Sequence, residues 1–186
     1  MSGLEGGLKL YGGLGLRFTR ESDQEYLLDL FVSSRPWLRD TSDDRDFLRT
    51  VFEQQYRGLR ASLEARYPQH LDFIVQRTGQ DIGRLILDLG YNDWRVSELQ
   101  LDERVRGKGV GTDLMRSLQA AAANAMVPIT LAALMVSPQA QAFYARLGFI
   151  VVADNPPVVE MAWAPPGWSG SIAVAGTPRQ APAAPA

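Results

Sequence analysis

The segment Arg106-Gly107-Lys108-Gly109-Val110-Gly111-Thr112 sets three glycines beside two cations. Glycine lets a backbone approach a ligand closely, and the N–H groups that open a helix carry partial positive charge. Such a loop suits a phosphate or pyrophosphate. The nucleotide-triphosphate pattern G-x-x-x-x-G-K-[ST] is absent. The dinucleotide pattern G-x-G-x-x-G fails because position 112, after Gly107 and Gly109, is threonine. Nor does an acidic residue follow about 20 positions on, where the chain reads Met126-Val127-Pro128. A plain strand-to-helix turn without a ligand remains open, as does another kind of nucleotide loop.

The elements that must position this loop show in the periodicity. Leu16-Arg17-Phe18-Thr19 alternates as a short strand, and Glu21 to Phe31 repeats apolar residues at helical spacing up to Arg35-Pro36. A second helix is expected from caps near Thr41 and Ser42, with the stripe Phe47, Leu48, Val51, Phe52, Tyr56, Leu59 and Leu63, ending before Pro68. Strands are expected over Leu71–Gln76, Gly83–Leu89, Arg95–Leu101, Ile129–Val136, Phe149–Val152 and Val158–Trp163. Val110–Met126 and Pro138–Leu147 read as helices. Interleaved helices and strands imply an α/β sandwich around a mixed sheet.

Composition narrows the partners. The chain has 186 residues, 46% hydrophobic and 22% charged, with net charge −2. That size suits one domain, and the balance argues against nucleic acid, whose binders carry a basic excess. With no cysteine and one histidine, His70, there is no thiolate chemistry and no transition-metal site is expected. No apolar run reaches a membrane span, and the start of the chain lacks signal-peptide character, so a soluble cytoplasmic protein is the expectation. Residues 1–13 read as a glycine-rich extension, 14–164 as the compact domain, and 165–186 as a mobile Pro/Ala-rich tail.

A second segment adds to the first. Arg106-x-x-Gly109-x-Gly111 resembles the R/Q-x-x-G-x-G/A pyrophosphate loop of the GNAT (GCN5-related N-acetyltransferase) family. Ser137-Pro138-Gln139-Ala140-Gln141-Ala142-Phe143-Tyr144-Ala145-Arg146-Leu147-Gly148-Phe149 resembles that family's N-x-x-A-x-x-(F/L)-Y-x-(R/K)-L-G-F stretch. Ser137 stands where the family commonly has asparagine. The likeness runs from about Leu16 to Trp163.

The resemblance implies a single-domain, mostly antiparallel sheet of six to seven strands with about four helices. It also implies a splay between the strand ending at Leu101 and the strand starting at Ile129, with pantetheine in the gap. It further implies transfer of an acetyl group from acetyl-CoA to an amine on a small molecule or peptide. In that frame, backbone groups of Leu99, Gln100 and Leu101 pair with pantetheine, and Ser137 hydrogen-bonds to it. The amides of Arg106, Gly107, Lys108, Gly109, Val110, Gly111 and Thr112 hold the pyrophosphate. Tyr144 becomes the general acid that protonates the departing thiolate; packing is the other reading of that ring. Strand alternation puts Glu98 and Gln100 on the face opposite Leu99 and Leu101, which makes Glu98 the candidate base; a solvated carboxylate is the other reading. Gln54, Arg57 and Arg60, with Trp37 and Tyr91, are weaker candidates for the acceptor side. A homodimer is a further expectation from the family. A non-catalytic acyl-CoA-binding module or sensor on the same fold is the competing function.

Overall fold

The computed structural model describes residues 10–35 and 44–172. Seven strands are hydrogen-bonded in the order β1-β2-β3-β4-β5-β7-β6: β1 (Leu14–Phe18), β2 (Leu71–Arg77), β3 (Gln80–Leu89), β4 (Trp94–Leu101), β5 (Ile129–Leu134), β6 (Ile150–Asn155) and β7 (Val158–Trp163). The helices are α1 (Gln24–Ser33), α2 (Arg45–Arg66), α3 (Val110–Ala125) and α4 (Pro138–Arg146), with 3₁₀ turns at Glu21–Asp23 and Glu103–Val105. This is the mixed α/β architecture that the periodicity predicts. The chain gathers into two compact units, Leu10–Asp88 with Ser97–Leu114, and Leu89–Val96 with the described residues from Met115 onward.

In the first unit β1 pairs antiparallel with β2 and β2 with β3. α1 and α2 supply Leu27, Phe31, Phe52 and Tyr56 to a cluster closed by Ile74 of β2. The Phe31 ring meets Phe52 and Tyr56 edge-on, the favourable arrangement for aromatic quadrupoles. Phe47, part of the stripe read from sequence, stands 53% exposed in the first turn of α2. Asp44 caps that helix, its side chain accepting from the amides of Asp46 (3.0 Å) and Phe47 (3.2 Å). Thr41, Ser42 and Trp37 lie outside the described residues.

Glycine is required at one position of β3. A Cβ on Gly83 would stand 2.5 Å from the Gln100 carbonyl oxygen and 2.8 Å from the Leu101 side chain. Gly83→Ala is therefore expected to destabilise the fold by about 1–3 kcal/mol, the usual cost of overpacking. A thermal melt lowered by several degrees is the readout; an unchanged midpoint would mean that the strands give way freely.

In the second unit β4 and β5 pair in parallel at Trp94↔Ile129, Arg95↔Thr130 and Val96↔Leu131. β7 lies antiparallel between β5 and β6. Arg95 and Glu160 form a buried ion pair at 2.6 Å, and the Thr130 hydroxyl donates to Asp93 at 2.7 Å. β5 ends at Leu134, two residues before the expected end, and Met135 and Val136 face solvent.

Candidate functional site

β4 carries the first group of candidates. Its alternation sets Glu98 and Gln100 together: the Gln100 Nε2 donates to Glu98 Oε2 at 3.1 Å. This polar face is the more deeply covered one at Gln100, which is 3% exposed, whereas Leu99 and Leu101 are half-buried. Arg35, just past the end of α1, approaches this face, its Nη2 3.5 Å from Glu98 Oε1. Burial pushes the Glu98 carboxyl above the ordinary glutamate range, against the pull of Arg35 and Arg84. A carboxylate of that kind is a better proton acceptor near neutral pH than a solvated one.

Two arginines beside Glu98 escape the sequence reading. Arg84 of β3 is almost fully buried and forks onto Asp72 with bonds of 2.9 and 2.6 Å. Its guanidinium carbon lies 5.5 Å from the centre of the Tyr56 ring. Arg35 rests on the Phe31 ring at 3.8 Å and donates to the Ser34 hydroxyl at 2.8 Å. Proline-adjacent Arg35 carries a helix-stop signal in the sequence and no hint of Glu98, which is 63 residues away.

The glycine loop follows the same strand. Asp102 caps the short Glu103–Val105 turn, accepting from the Arg104 amide at 2.9 Å, and the Arg104 side chain returns onto it. That guanidinium holds the Asp102 carboxyl below its usual range. The Arg106 side chain is turned back onto the protein: Nε donates to the Leu101 carbonyl at 2.8 Å and the terminal nitrogens reach the Ser33 carbonyl at 3.3–3.4 Å. Two backbone amides assigned to pyrophosphate are already engaged, Arg106 with the Glu103 carbonyl and Lys108 with that of Val105.

The remaining amides suit an anion. The first bond of α3 runs from the Asp113 amide to the Gly109 carbonyl, so the amides of Val110, Gly111 and Thr112 precede it and have no partner within the helix. Gly107 (φ 71°) and Gly109 (φ 81°) are left-handed, and no atom lies within 4 Å of where either Cβ would stand. Residues 106–109 are exposed while Val110 is buried, which anchors the loop. An open backbone surface with an N-terminal helix dipole suits a phosphate or pyrophosphate group.

The second unit carries Tyr144 and Ser137. Tyr144 lies in the last turn of α4, with its ring 5.0 Å from Phe143 and 5.7 Å, edge-on, from Phe149. Its carbonyl accepts from the amides of Leu147 (2.9 Å) and Phe149 (3.1 Å), so the Leu-Gly-Phe end of the motif fixes this turn. Gly148, at φ 85°, makes that reversal. Ser137 precedes α4, with Pro138 in the first turn, and its hydroxyl caps no helix amide. Gln141 reaches the carbonyl at the end of β5, Leu134, at 3.0 Å and so ties helix to strand.

The weaker candidates fall elsewhere. Tyr91 is 90% exposed. His70 sits at its turn with Nδ1 2.7 Å from the Tyr67 carbonyl. Arg57 and Arg60 line a shallow cleft of about 280 Å³ between α1 and α2, paired with Glu53 and Glu64 along their own helix. Among the described residues no helix is long and apolar enough to cross a membrane, and no three metal-binding side chains gather.

Residues 69–151 match the model of the acetyltransferase (GNAT) domain. The fold is similar to a PaiA N-acetyltransferase from Thermoplasma acidophilum, solved in complex with coenzyme A (17% identity, 81% of this chain and 98% of that one, TM-score 0.62). An acetyltransferase from Thermus thermophilus is similar too (22% identity, 84% and 99%, TM-score 0.62). So is a GNAT family acetyltransferase from Elizabethkingia anophelis with acetyl-CoA bound (12% identity, 82% and 99%, TM-score 0.56). At these identities the likeness is one of fold. Among curated proteins none matches this chain.

Proposed function

We propose that this chain, which carries a GNAT acetyltransferase domain over residues 69–151, moves an acetyl group from acetyl-CoA to the nitrogen of an amine acceptor. The observation that carries the reading is the Gly107–Thr112 segment, with its exposed left-handed Gly107 and Gly109 and the three leading amides of α3. The coenzyme A complex of the PaiA relative and the acetyl-CoA complex of the Elizabethkingia protein support the choice of donor. The catalytic body is residues 14–164, and a reducing cytoplasm suits a chain without cysteine.

In this reading the acceptor arrives as an ammonium ion and gives one proton to the Glu98 carboxylate, which passes it to water. The freed nitrogen lone pair forms a bond to the thioester carbonyl carbon. The carbon–sulfur bond breaks with its electron pair on sulfur, and the Tyr144 phenol supplies the proton that makes the thiol. The nitrogen's second proton restores the phenol. The products are an amide, free coenzyme A and one proton. Leu99 and Gln100 offer backbone groups to the pantetheine arm, with Ser137 as its hydroxyl contact. The Leu101 carbonyl takes part only if Arg106 lets it go.

Release of free thiol from acetyl-CoA across a panel of amines tests the proposal. Amine-dependent release supports it. A loop that binds acetyl-CoA and releases no thiol with any amine would make the protein an acyl-CoA sensor.

The pH profile tests Glu98. A general base works in its deprotonated form, so activity is present above its pKa and lost as pH falls through it. Because burial raises that pKa, the acid limb of kcat/KM should lie above the usual glutamate range. Glu98→Gln should remove this limb, leaving a slower rate that rises with pH as the amine itself becomes neutral. An unchanged profile in Glu98→Gln would assign the base elsewhere.

A further inference from the structure

Of the arginine–carboxylate pairs in the Leu10–Asp88, Ser97–Leu114 unit, the two around Glu98 differ in geometry. Arg84 and Asp72 close a fork of two short bonds, 2.9 and 2.6 Å, although Arg84 Nη1 is buried without a partner among the described residues. Arg35 and Glu98 meet through a single contact at 3.5 Å, with side chains 18% and 17% exposed. Arg35 is not loose. The Phe31 ring at 3.8 Å and the Ser34 hydroxyl at 2.8 Å fix its guanidinium from the other sides. Beside them the Gln100 amide, 3% exposed, spends its nitrogen on Glu98 while its oxygen has no partner among the described residues. A cation and an anion that solvent still reaches thus stand beside a buried acceptor that has no partner among the described residues.

The charges sum to zero there, since Asp72 offsets Arg84 and Glu98 offsets Arg35. A simple ammonium entering this half-buried place would bring one uncompensated positive charge against Arg35. An acceptor with a carboxylate on the carbon next to its nitrogen brings none, and each of its ends meets an opposite charge.

We infer that the acceptor is an amine of the amino-acid type, its carboxylate received by Arg35 and its ammonium by Glu98 and the Gln100 Oε1. This rests on the acyl-transfer reading and narrows it to a substrate class. The step is the one written above, with the acceptor carboxylate unchanged from start to finish. Arg35 is a specificity residue: its Nη1 is committed to the Ser34 hydroxyl and the Phe31 carbonyl, and its Nη2, held on Glu98 only at 3.5 Å, is the donor that turns to a carboxylate of the ligand.

The test follows thiol release from acetyl-CoA with the purified full chain. The twenty amino acids are compared with their C-terminal amides and decarboxylated amines. The expected result is a kcat/KM about 100-fold higher for the best acid than for its amide or amine, since a site built to bond a polar group rejects the analogue lacking it. Arg35→Gln should collapse that ratio toward one, mainly through KM for the acid, and Arg35→Lys should retain part of it. The melting shift with acetyl-CoA shows that each variant is folded and loaded. A wild-type protein that also melts higher with the preferred amino acid, in the presence of coenzyme A, supports the inference without turnover. Equal use of acids and carboxylate-free amines, or an unchanged ratio in folded Arg35→Gln, overturns this inference and leaves acyl transfer standing. No thiol release from any amine by the loaded protein overturns the transfer reading, and this inference with it.

Discussion

Tyr144→Phe should turn over its acceptor roughly 100-fold or more slower than the wild type, the range expected for the loss of a general acid. The substitution removes one hydroxyl and keeps the ring, so the contacts to Phe143 at 5.0 Å and Phe149 at 5.7 Å survive. The melting temperature and the shift produced by acetyl-CoA should therefore change little. The loss should appear in kcat as well as in kcat/KM, because the proton is needed chiefly in the transition state. It should shrink for a thioester whose leaving thiol is more acidic, since that sulfur departs without help. A wild-type rate in Tyr144→Phe would reduce the residue to the packing role its two aromatic neighbours already describe.

Gly109→Glu should abolish the stabilisation that acetyl-CoA gives the wild type. A ligand at 100 times its dissociation constant adds about 2.7 kcal/mol to the folded state, a shift of several degrees that a melt reads easily. Glutamate at 109 puts a carboxylate on the open face of the loop, against the phosphates and the N-terminal end of α3. A left-handed φ of 81° makes any side chain there costly, by about 1–3 kcal/mol, so the ligand-free variant should also melt lower. Gly109→Ala separates the two effects. Its Cβ meets nothing within 4 Å, so it shares the strain but should keep most of the shift. A full acetyl-CoA shift in folded Gly109→Glu would remove the loop from the cofactor site.

Period and punctuation made much of this architecture readable. β7 runs over Val158–Trp163 as expected, and α3 opens at Val110 directly behind the glycine loop. Where the reading slipped, residue type stood in for bonding. The apolar run through Val136 suggested a longer β5, but the Met135 amide turns to the Pro157 carbonyl at 2.9 Å and the next side chains leave the core. Asp44 accepts the first amides of α2, while Thr41 and Ser42, expected near its start, lie outside the described residues.

The candidate site divides the same way. Loop, strand carboxylate and tyrosine motif are each contiguous and could be found in one dimension. The company of Glu98 could not. Alternation pairs it with Gln100, two residues away, but Arg35 comes from a helix end 63 residues back, and burial raises the carboxyl's proton affinity against the pull of that arginine. The competition of Arg106 for the Leu101 carbonyl is likewise a fact of folding back, invisible in the motif that names the arginine.

The end of α1 and the two residues after it hold both of these long-range contacts within three residues. The Ser33 carbonyl takes the guanidinium of Arg106, and Arg35 faces Glu98. The candidate cofactor loop and the candidate base therefore share one mount. A tilt of that turn that lets Arg106 go must also move the charge beside Glu98, and a proton gained by Glu98 weakens the hold on Arg35. Thermodynamic linkage makes such traffic symmetrical: whatever filling the loop does to the proton affinity of Glu98, protonating Glu98 does to the affinity of the loop. If the loop holds the donor, its affinity and the acid–base poise of Glu98 share one coupling free energy that can be read at either place.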